Sequence, residues 1–370
     1  MKKKIELFFK SLFLKVLVGS VKKHSGEPLP AITPQTKVLF VRLNRIGDAL
    51  VTTPLLAQIK EKTGCSIDVL ADEKNYFVFQ NLPVRRNVYV YRKGLKPLRE
   101  LLKVLQQQEY DIVVDAHDDV SFTASLIIRL IPAPYKFALR KENEQLFTHT
   151  IEKPNSERVH VVERILQLAQ LFGCMPEYAT AHVVYEPSAN AKQKAAEFIA
   201  KRFPGKQFIV GINISAGSEA RFWGRERYRK LVSDLRAQGY AVMLLSTTRD
   251  LKHAFMIYDE RDKIYYTPKF DEFVAIMEHL SVLFSPDTST VHLASIYRVP
   301  VFGIYVQYNT EDMIWSPYGS DFDGVVTREA NLANMTYEEV YPKFLQFLER
   351  HQNKAALPTE KPSASFSTGD

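Results

Sequence analysis

The first sustained apolar run, Val38 to Leu43, is rich in β-branched and aromatic residues and stops at a short polar turn. Gly47-Asp48 follows, and from Ala49 to Lys62 apolar positions recur at helical spacing until Gly64, a helix-stop residue. The alternation continues with strands at Ile67–Ala71, Val88–Tyr91 and Ile112–Asp115 and a helical stretch at Leu98–Gln107. Strands separated by helices in this rhythm give βαβ units and a parallel sheet.

The rhythm then restarts. Ala189–Arg202 has helical spacing, Pro204-Gly205 breaks it, and Phe208–Ile212 reads as a buried strand. Arg225–Gln238 is helical and closes at Gly239. Further strands are expected at Ala241–Ser246, Val282–Ser285 and Val301–Ile304, with helices at Phe270–Leu280 and Thr290–Ile296. The pattern predicts an α/β fold with two consecutive Rossmann-like halves, residues 37–186 and 187–335, meeting near Tyr185–Asn190. Tyr337–His351 is a last helix, within 336–352, and residues 353–370, rich in Ser, Thr, Pro and Ala, are expected to be disordered.

Charge changes the picture at one end only. The formal net charge is +7, but the first 23 residues hold seven lysines and one glutamate, so the rest of the chain is close to neutral. That argues against a nucleic-acid binder. Read as a helix, Ile5, Phe8, Phe9, Leu12, Phe13, Val16 and Leu17 share a broad face, while Lys10 and Lys15 make the run too charged to span a bilayer. Such a helix either lies on an anionic leaflet or packs on the protein's own body. It joins a linker, His24 to Gln35, that carries three prolines, so residues 1–36 form an appendage. Cys65 and Cys174 lack partners at metal-ligand spacing and read as reduced thiols of a cytoplasmic protein.

Four strand-to-helix junctions carry chemistry. Asp48 follows the first strand at its carboxyl end, where open α/β sheets place ligands. A lone carboxylate there suits a general base better than a metal site; the alternative is a helix N-cap. Arg42 and Arg45 either hold it ionised or contact an anionic substrate, and Gly47 permits a tight turn. In the second junction, Asn213 to Trp223, Ser215 and its small hydroxylic neighbours offer backbone donors and Arg221 adds a phosphate-matched fork. In the third, Thr288, Ser289 and Thr290 bring hydroxyls and amides to a helix N-terminus, which favours anions. Asp287 is expected to organise that loop, and His292 either reaches a diphosphate or is a buried, satisfied imidazole. In the fourth, Thr247 and Asp250 could floor a nucleotide pocket, with Asp250 capping a helix or meeting a ribose hydroxyl. Asp115 to Asp119 lacks the spacing of a zinc site; it reads as an acceptor pocket, with His117 and Asp118, or as a plain loop. There is no Gly-Lys-Ser/Thr phosphate loop and no Gly-x-Gly-x-x-Gly after the first strand, which argues against triphosphate hydrolysis and dinucleotide-dependent dehydrogenation.

On the Arg-x-x-x-Ile-Gly-Asp-x-x-x-Thr-Thr-Pro pattern at Arg42–Pro54 and the run Asp287–Ala294, the chain from about Lys37 to His351 resembles glycosyltransferase family 9, the ADP-heptose:lipopolysaccharide heptosyltransferases and their relatives. The resemblance implies a GT-B architecture, two Rossmann-like domains facing a cleft, with the acceptor on the first and the nucleotide-sugar on the second. It implies inverting transfer without a metal or other cofactor. Asp48 then matches the catalytic base, Arg221 the place of a phosphate-binding lysine, and Thr288, Ser289 and His292 the diphosphate-binding run. Asp250 falls near a ribose-contacting acid. Ser246 and Ser289 stand where glycines are usual, and His117-Asp118 departs from the common pair. The implied partners are an ADP-linked sugar, a lipid-linked glycan such as the lipopolysaccharide core, and the inner leaflet of the bacterial inner membrane. Rival readings are a nucleotide-sugar epimerase or hydrolase, or a non-catalytic, membrane-associated sugar-binding protein.

Overall fold

A computed structural model describes residues 28–356, so the basic N-terminal segment and residues 357–370 lie outside the described residues. The first lobe runs β1 (Lys37–Val41), α1 (Ile46–Leu50), α2 (Thr53–Thr63), β2 (Ser66–Asp72), α3 (Tyr76–Gln80), β3 (Arg85–Tyr91), α4 (Leu95–Gln106), β4 (Ile112–Asp115), α5 (Phe122–Leu130), β5 (Tyr135–Leu139), β6 (His149–Ile151) and α6 (Val161–Leu166). The second runs α7 (Ala189–Arg202), β7 (Ile209–Asn213), α8 (Arg225–Ala237), β8 (Ala241–Ser246), α9 (Leu251–Ile257), β9 (Ile264–Tyr266), α10 (Phe270–Met277), β10 (Val282–Pro286), α11 (Ser289–Ile296), β11 (Val301–Val306), β12 (Phe322–Thr327) and α12 (Tyr337–Ala356).

Each lobe holds a six-stranded parallel sheet, ordered β3-β2-β1-β4-β5-β6 and β12-β11-β10-β7-β8-β9. Helices cover both faces, so the central strands are buried along their whole length and read as continuous apolar runs. In each sheet the order reverses beside a central strand, β1 or β7, whose carboxyl end is therefore a natural ligand position.

The single helix expected over Ala49–Lys62 is two. Pro54 cannot donate to the carbonyl four residues back, so the ladder breaks and the Leu50 carbonyl accepts the Thr53 hydroxyl instead at 2.8 Å. Gly64 does end α2, with φ 69° and its N–H on the Lys60 carbonyl. The last helix continues through Ala356, past the His351 end expected for it and into the stretch expected to be disordered.

The lobes are joined by more than a hinge. One continuous apolar cluster includes Ala49, Leu50 and Phe172 from the first lobe and Val274, Met277, Val291 and Leu293 from the second. Asp271 at the start of α10 accepts hydrogen bonds from Asn81 Nδ2 at 2.9 Å and the Tyr185 hydroxyl at 3.1 Å. The Met313 N–H donates to the Ser156 carbonyl at 2.8 Å. Helix α1, which carries Asp48, packs against α11.

Candidate active site

On the first lobe the chain leaves β1 through Arg42 and Leu43 and turns at Asn44, a non-glycine residue with φ 93°. That conformation is costly and must be held from outside. Asn75 Nδ2 donates to the Arg42 carbonyl at 3.1 Å, the Asn44 N–H donates to Asp72 Oδ2 at 2.9 Å, and the Leu43 N–H donates to His117 Nε2 at 3.0 Å. The Arg42 side chain is only 1 % exposed and all three nitrogens are engaged. Nε donates to the Asp48 carbonyl at 2.9 Å, Nη1 to the Ala116 carbonyl at 2.8 Å and Nη2 to Asp48 Oδ1 at 3.0 Å. Burial pulls the guanidinium pKa down, opposed by Asp48 and Asp115. Of the two readings of Arg42, the structure favours the one in which it holds the carboxylate, because the side chain is buried and each of its nitrogens already donates to a protein oxygen.

Asp48 lies inside the first turn of α1, whose N-cap position is Arg45, so it is not the capping residue. Its side chain is 22 % exposed. Oδ1 is anchored by Arg42, while no group among the described residues bonds Oδ2. One oxygen fixed and one available is the arrangement a proton acceptor needs. Arg45 is exposed, and its charge reaches Asp287 on the other lobe.

His117 and Asp118 do not face outward as an acceptor pocket requires. His117 is 3 % exposed and both ring nitrogens are used. Nε2 accepts from Leu43, so Nδ1 carries the proton and donates to Asp115 Oδ1 at 2.6 Å. Lys141 Nζ closes the cluster on Asp115 Oδ2 at 2.9 Å and the His117 carbonyl at 2.8 Å. Burial alone would raise the Asp115 pKa; Lys141 and His117 more than reverse this and hold it well below the usual carboxylate range. Burial keeps His117 neutral against the pull of Asp115. Asp118 is equally committed, receiving Arg164 Nε at 3.1 Å and Nη2 at 2.8 Å. Both residues support the β1 turn and the lobe interior.

On the second lobe, Asn213 at the end of β7 is the hub, and the sequence reading gave it no role. Its Nδ2 reaches Ser285 Oγ at 3.0 Å, the Ser215 carbonyl at 3.2 Å and Thr288 Oγ1 at 3.3 Å, and its Oδ1 accepts the Ser215 N–H at 3.1 Å. A polar residue closing an otherwise apolar strand was the available signal. Ser215, Thr247 and Asp250 form a chain: Ser215 Oγ accepts the Thr247 N–H at 2.8 Å and Thr247 Oγ1 donates to Asp250 Oδ2 at 2.9 Å. The three residues expected around a nucleoside are thus contiguous.

Thr288 caps α11, its Oγ1 accepting the Thr290 N–H at 3.3 Å. Asp287 is fixed through its N–H to the Ile304 carbonyl and lies 3.0 Å from Arg221 Nε in an ion pair. Burial raises the Asp287 pKa, opposed by Arg221 and Arg45. His292, one turn into α11, is 3 % exposed, and its Nδ1 is buried with no hydrogen-bond partner. Burial pushes its pKa down to about 3, so the imidazole is neutral. It is buried but not satisfied. A methyl group on Gly47 would stand 3.4 Å from His292 Cδ2, which brings the Asp48 turn and the α11 N-terminus together across the lobe junction. No group of three or more His, Cys, Asp or Glu side chains able to hold a metal occurs among the described residues.

Two Rossmann-like lobes, with the turn of the first that carries Asp48 packed against the capped helix α11 of the second, form the GT-B architecture. Residues 98–345 match the model of glycosyltransferase family 9 (heptosyltransferase), and the chain belongs to that family. It is 22 % identical over 327 residues to lipopolysaccharide heptosyltransferase 3 of Escherichia coli (strain K12), spanning 80 % of this chain and 92 % of that protein. The fold is shared with a family 9 glycosyl transferase from Veillonella parvula DSM 2008, at TM-score 0.75 and 17 % identity over 87 % of this chain and all of that one (100 %). It is shared also with E. coli heptosyltransferase WaaC, solved with ADP, at TM-score 0.67 and 18 % identity over 85 % of this chain and 100 % of that one.

Proposed function

We propose that this glycosyltransferase moves a heptose from an ADP-linked donor to a lipopolysaccharide-core or other lipid-linked glycan, with inversion and without a metal. The observation that supports the reading is the approach of Gly47 to His292, which puts the turn carrying Asp48 beside the first turns of α11 at the lobe junction. In a single displacement the acceptor hydroxyl oxygen attacks the anomeric carbon and gives its proton to Asp48 Oδ2. The bond from that carbon to the diphosphate oxygen breaks, and its electron pair leaves with the nucleoside diphosphate. Arg221 and the Thr288–Thr290 segment stabilise the charge that builds there; one well-placed donor contributes about 3 kcal/mol. Proton removal by a positioned base contributes roughly 10²–10⁴-fold.

Ser215, Thr247 and Asp250 would hold the nucleoside, and Arg45, exposed beside the Asp48 turn, would meet an anionic acceptor. The name of the E. coli relative supports lipopolysaccharide as acceptor, and the ADP bound to WaaC supports an adenine nucleotide. Among the described residues no helix is long and apolar enough to cross a membrane; the reading puts the protein on the inner face of the inner membrane, held in part by its basic N-terminal segment. Thermal shift with ADP, UDP, GDP and CMP tests the donor class, with stabilisation by ADP alone expected. Product analysis with and without a lipid-linked acceptor tests the reaction: sugar released or epimerised equally well without acceptor would contradict transfer.

A further inference from the structure

We propose that the outer face of α4 rests on an anionic lipid surface. At helical spacing Leu98, Leu101, Leu102 and Leu105 point toward the first-lobe core, where Leu105 is fully buried and the other three pack partly buried. Lys96, Arg99 and Lys103 share the opposite, exposed face, and Lys93 precedes it. None of these four has an ion-pair partner among the described residues, whereas nearby Arg86 and Arg92 are paired with Asp68 and Glu73. Glu100 is the one acid on this exposed side of α4, so a net cationic charge is concentrated here even though the body of the protein is near neutral.

Apolar groups accompany the cations. Leu95, in the first turn, is 82 % exposed, and Val104 is 43 % and Leu130 of α5 42 % exposed. Gln106 at the end of α4 donates to the Leu130 carbonyl, so the two helix ends are adjacent. Lysine and arginine around protruding aliphatic side chains match an interface in which headgroup phosphates meet the charges and acyl chains receive the leucine. A polyanion such as RNA would use the charges and leave Leu95 in water.

The placement is also consistent with the cleft. Gly94 joins β3 to α4 at the carboxyl edge of the sheet, the edge from which the Asp48 turn projects. A surface under α4 would bring a lipid-linked glycan to the acceptor side. That purpose rests on the proposed function, but the lipid contact is measured without nucleotide, so its failure leaves the transfer reading standing.

Cys65 and Cys174 are buried, so a thiol-reactive, environment-sensitive dye can be directed to Leu95→Cys in the full chain. Val326→Cys, on an exposed second-lobe position, is the control. Vesicles of equimolar phosphatidylethanolamine and phosphatidylglycerol should blue-shift the dye at 95 and leave the dye at 326 unchanged; phosphatidylcholine vesicles and RNA should shift neither. Lys96→Ser with Lys103→Ser should weaken anionic-vesicle affinity by about tenfold or more, since each near-surface cation contributes a comparable electrostatic increment. The proposal is overturned if the chain does not bind the vesicles, if the bound chain keeps an aqueous spectrum at 95 because its N-terminal lysines alone hold it, or if RNA gives the same shift.

Discussion

The imidazole of His292 lies against Gly47, close enough that a methyl group on the glycine would sit 3.4 Å from Cδ2. The contact joins the turn that presents Asp48 to helix α11, whose start is the proposed diphosphate site. At that distance a methyl group is in ordinary contact, so the ring limits only the replacement of this glycine by side chains larger than alanine. The φ of Gly47 is not positive, so the constraint is the neighbour and not the backbone.

Gly47→Ala should therefore be tolerated, with kcat/KM within a few-fold of the parent. Gly47→Val should push the ring and α11 away. Overpacking of about 1–3 kcal/mol at such a contact corresponds to roughly 5- to 150-fold in kcat/KM. Steady-state kinetics on both variants, with circular dichroism to confirm folding, checks the ordering.

His292 makes stability depend on pH. Its folded pKa is about 3 against an ordinary 6.5, so the unfolded chain binds the proton first as pH falls. The contribution is fully present above about 6.5 and is lost progressively toward about 3, at up to ~1.4 kcal/mol per pH unit. His292→Gln should flatten the fall in melting temperature between neutral and acidic pH. It will not abolish the fall, because His160 is also depressed, to about 4, by burial.

Much of this arrangement was legible in the chain. The apolar strands, the Gly64 stop and a carboxylate at the end of the first strand all follow from local pattern, since strand burial and helix ends are set by residues next to one another. The directions of His117 and Asp118 were not. They are fixed by the Leu43 N–H and by Arg164, 74 and 46 residues away, and no spacing rule reports such partners. The split at Pro54 was readable from the proline, but helical periodicity runs through it on both sides. Short edge strands such as His149–Ile151 and Ile264–Tyr266 carry too few residues to show alternation. Asn213 and the contact of Gly47 with His292 depend on how sheets and lobes pack.

His117 should act as a positioning residue, since its Nε2 holds the Leu43 N–H just before the strained Asn44 turn. His117→Leu removes that acceptor and leaves a buried N–H unpaired, at a cost of about 1–3 kcal/mol. The expected result is a lower kcat with unchanged affinity for the donor nucleotide. His117→Gln, whose amide can accept from Leu43 and donate to Asp115, should restore part of kcat. Equal losses in both variants, tracking melting temperature alone, would show that the residue only supports the fold.

The central claim is that Asp48 takes the acceptor proton while the second lobe alone holds the nucleotide. Asp48→Asn keeps the size of the side chain and a bond to Arg42 but removes the basic oxygen. Transfer rate and nucleotide affinity measured on the same preparation give the most direct test. The account predicts a fall in kcat of about 10²-fold or more with nucleotide affinity nearly unchanged. Retention of full transfer activity by Asp48→Asn, with nucleotide still bound, would contradict it.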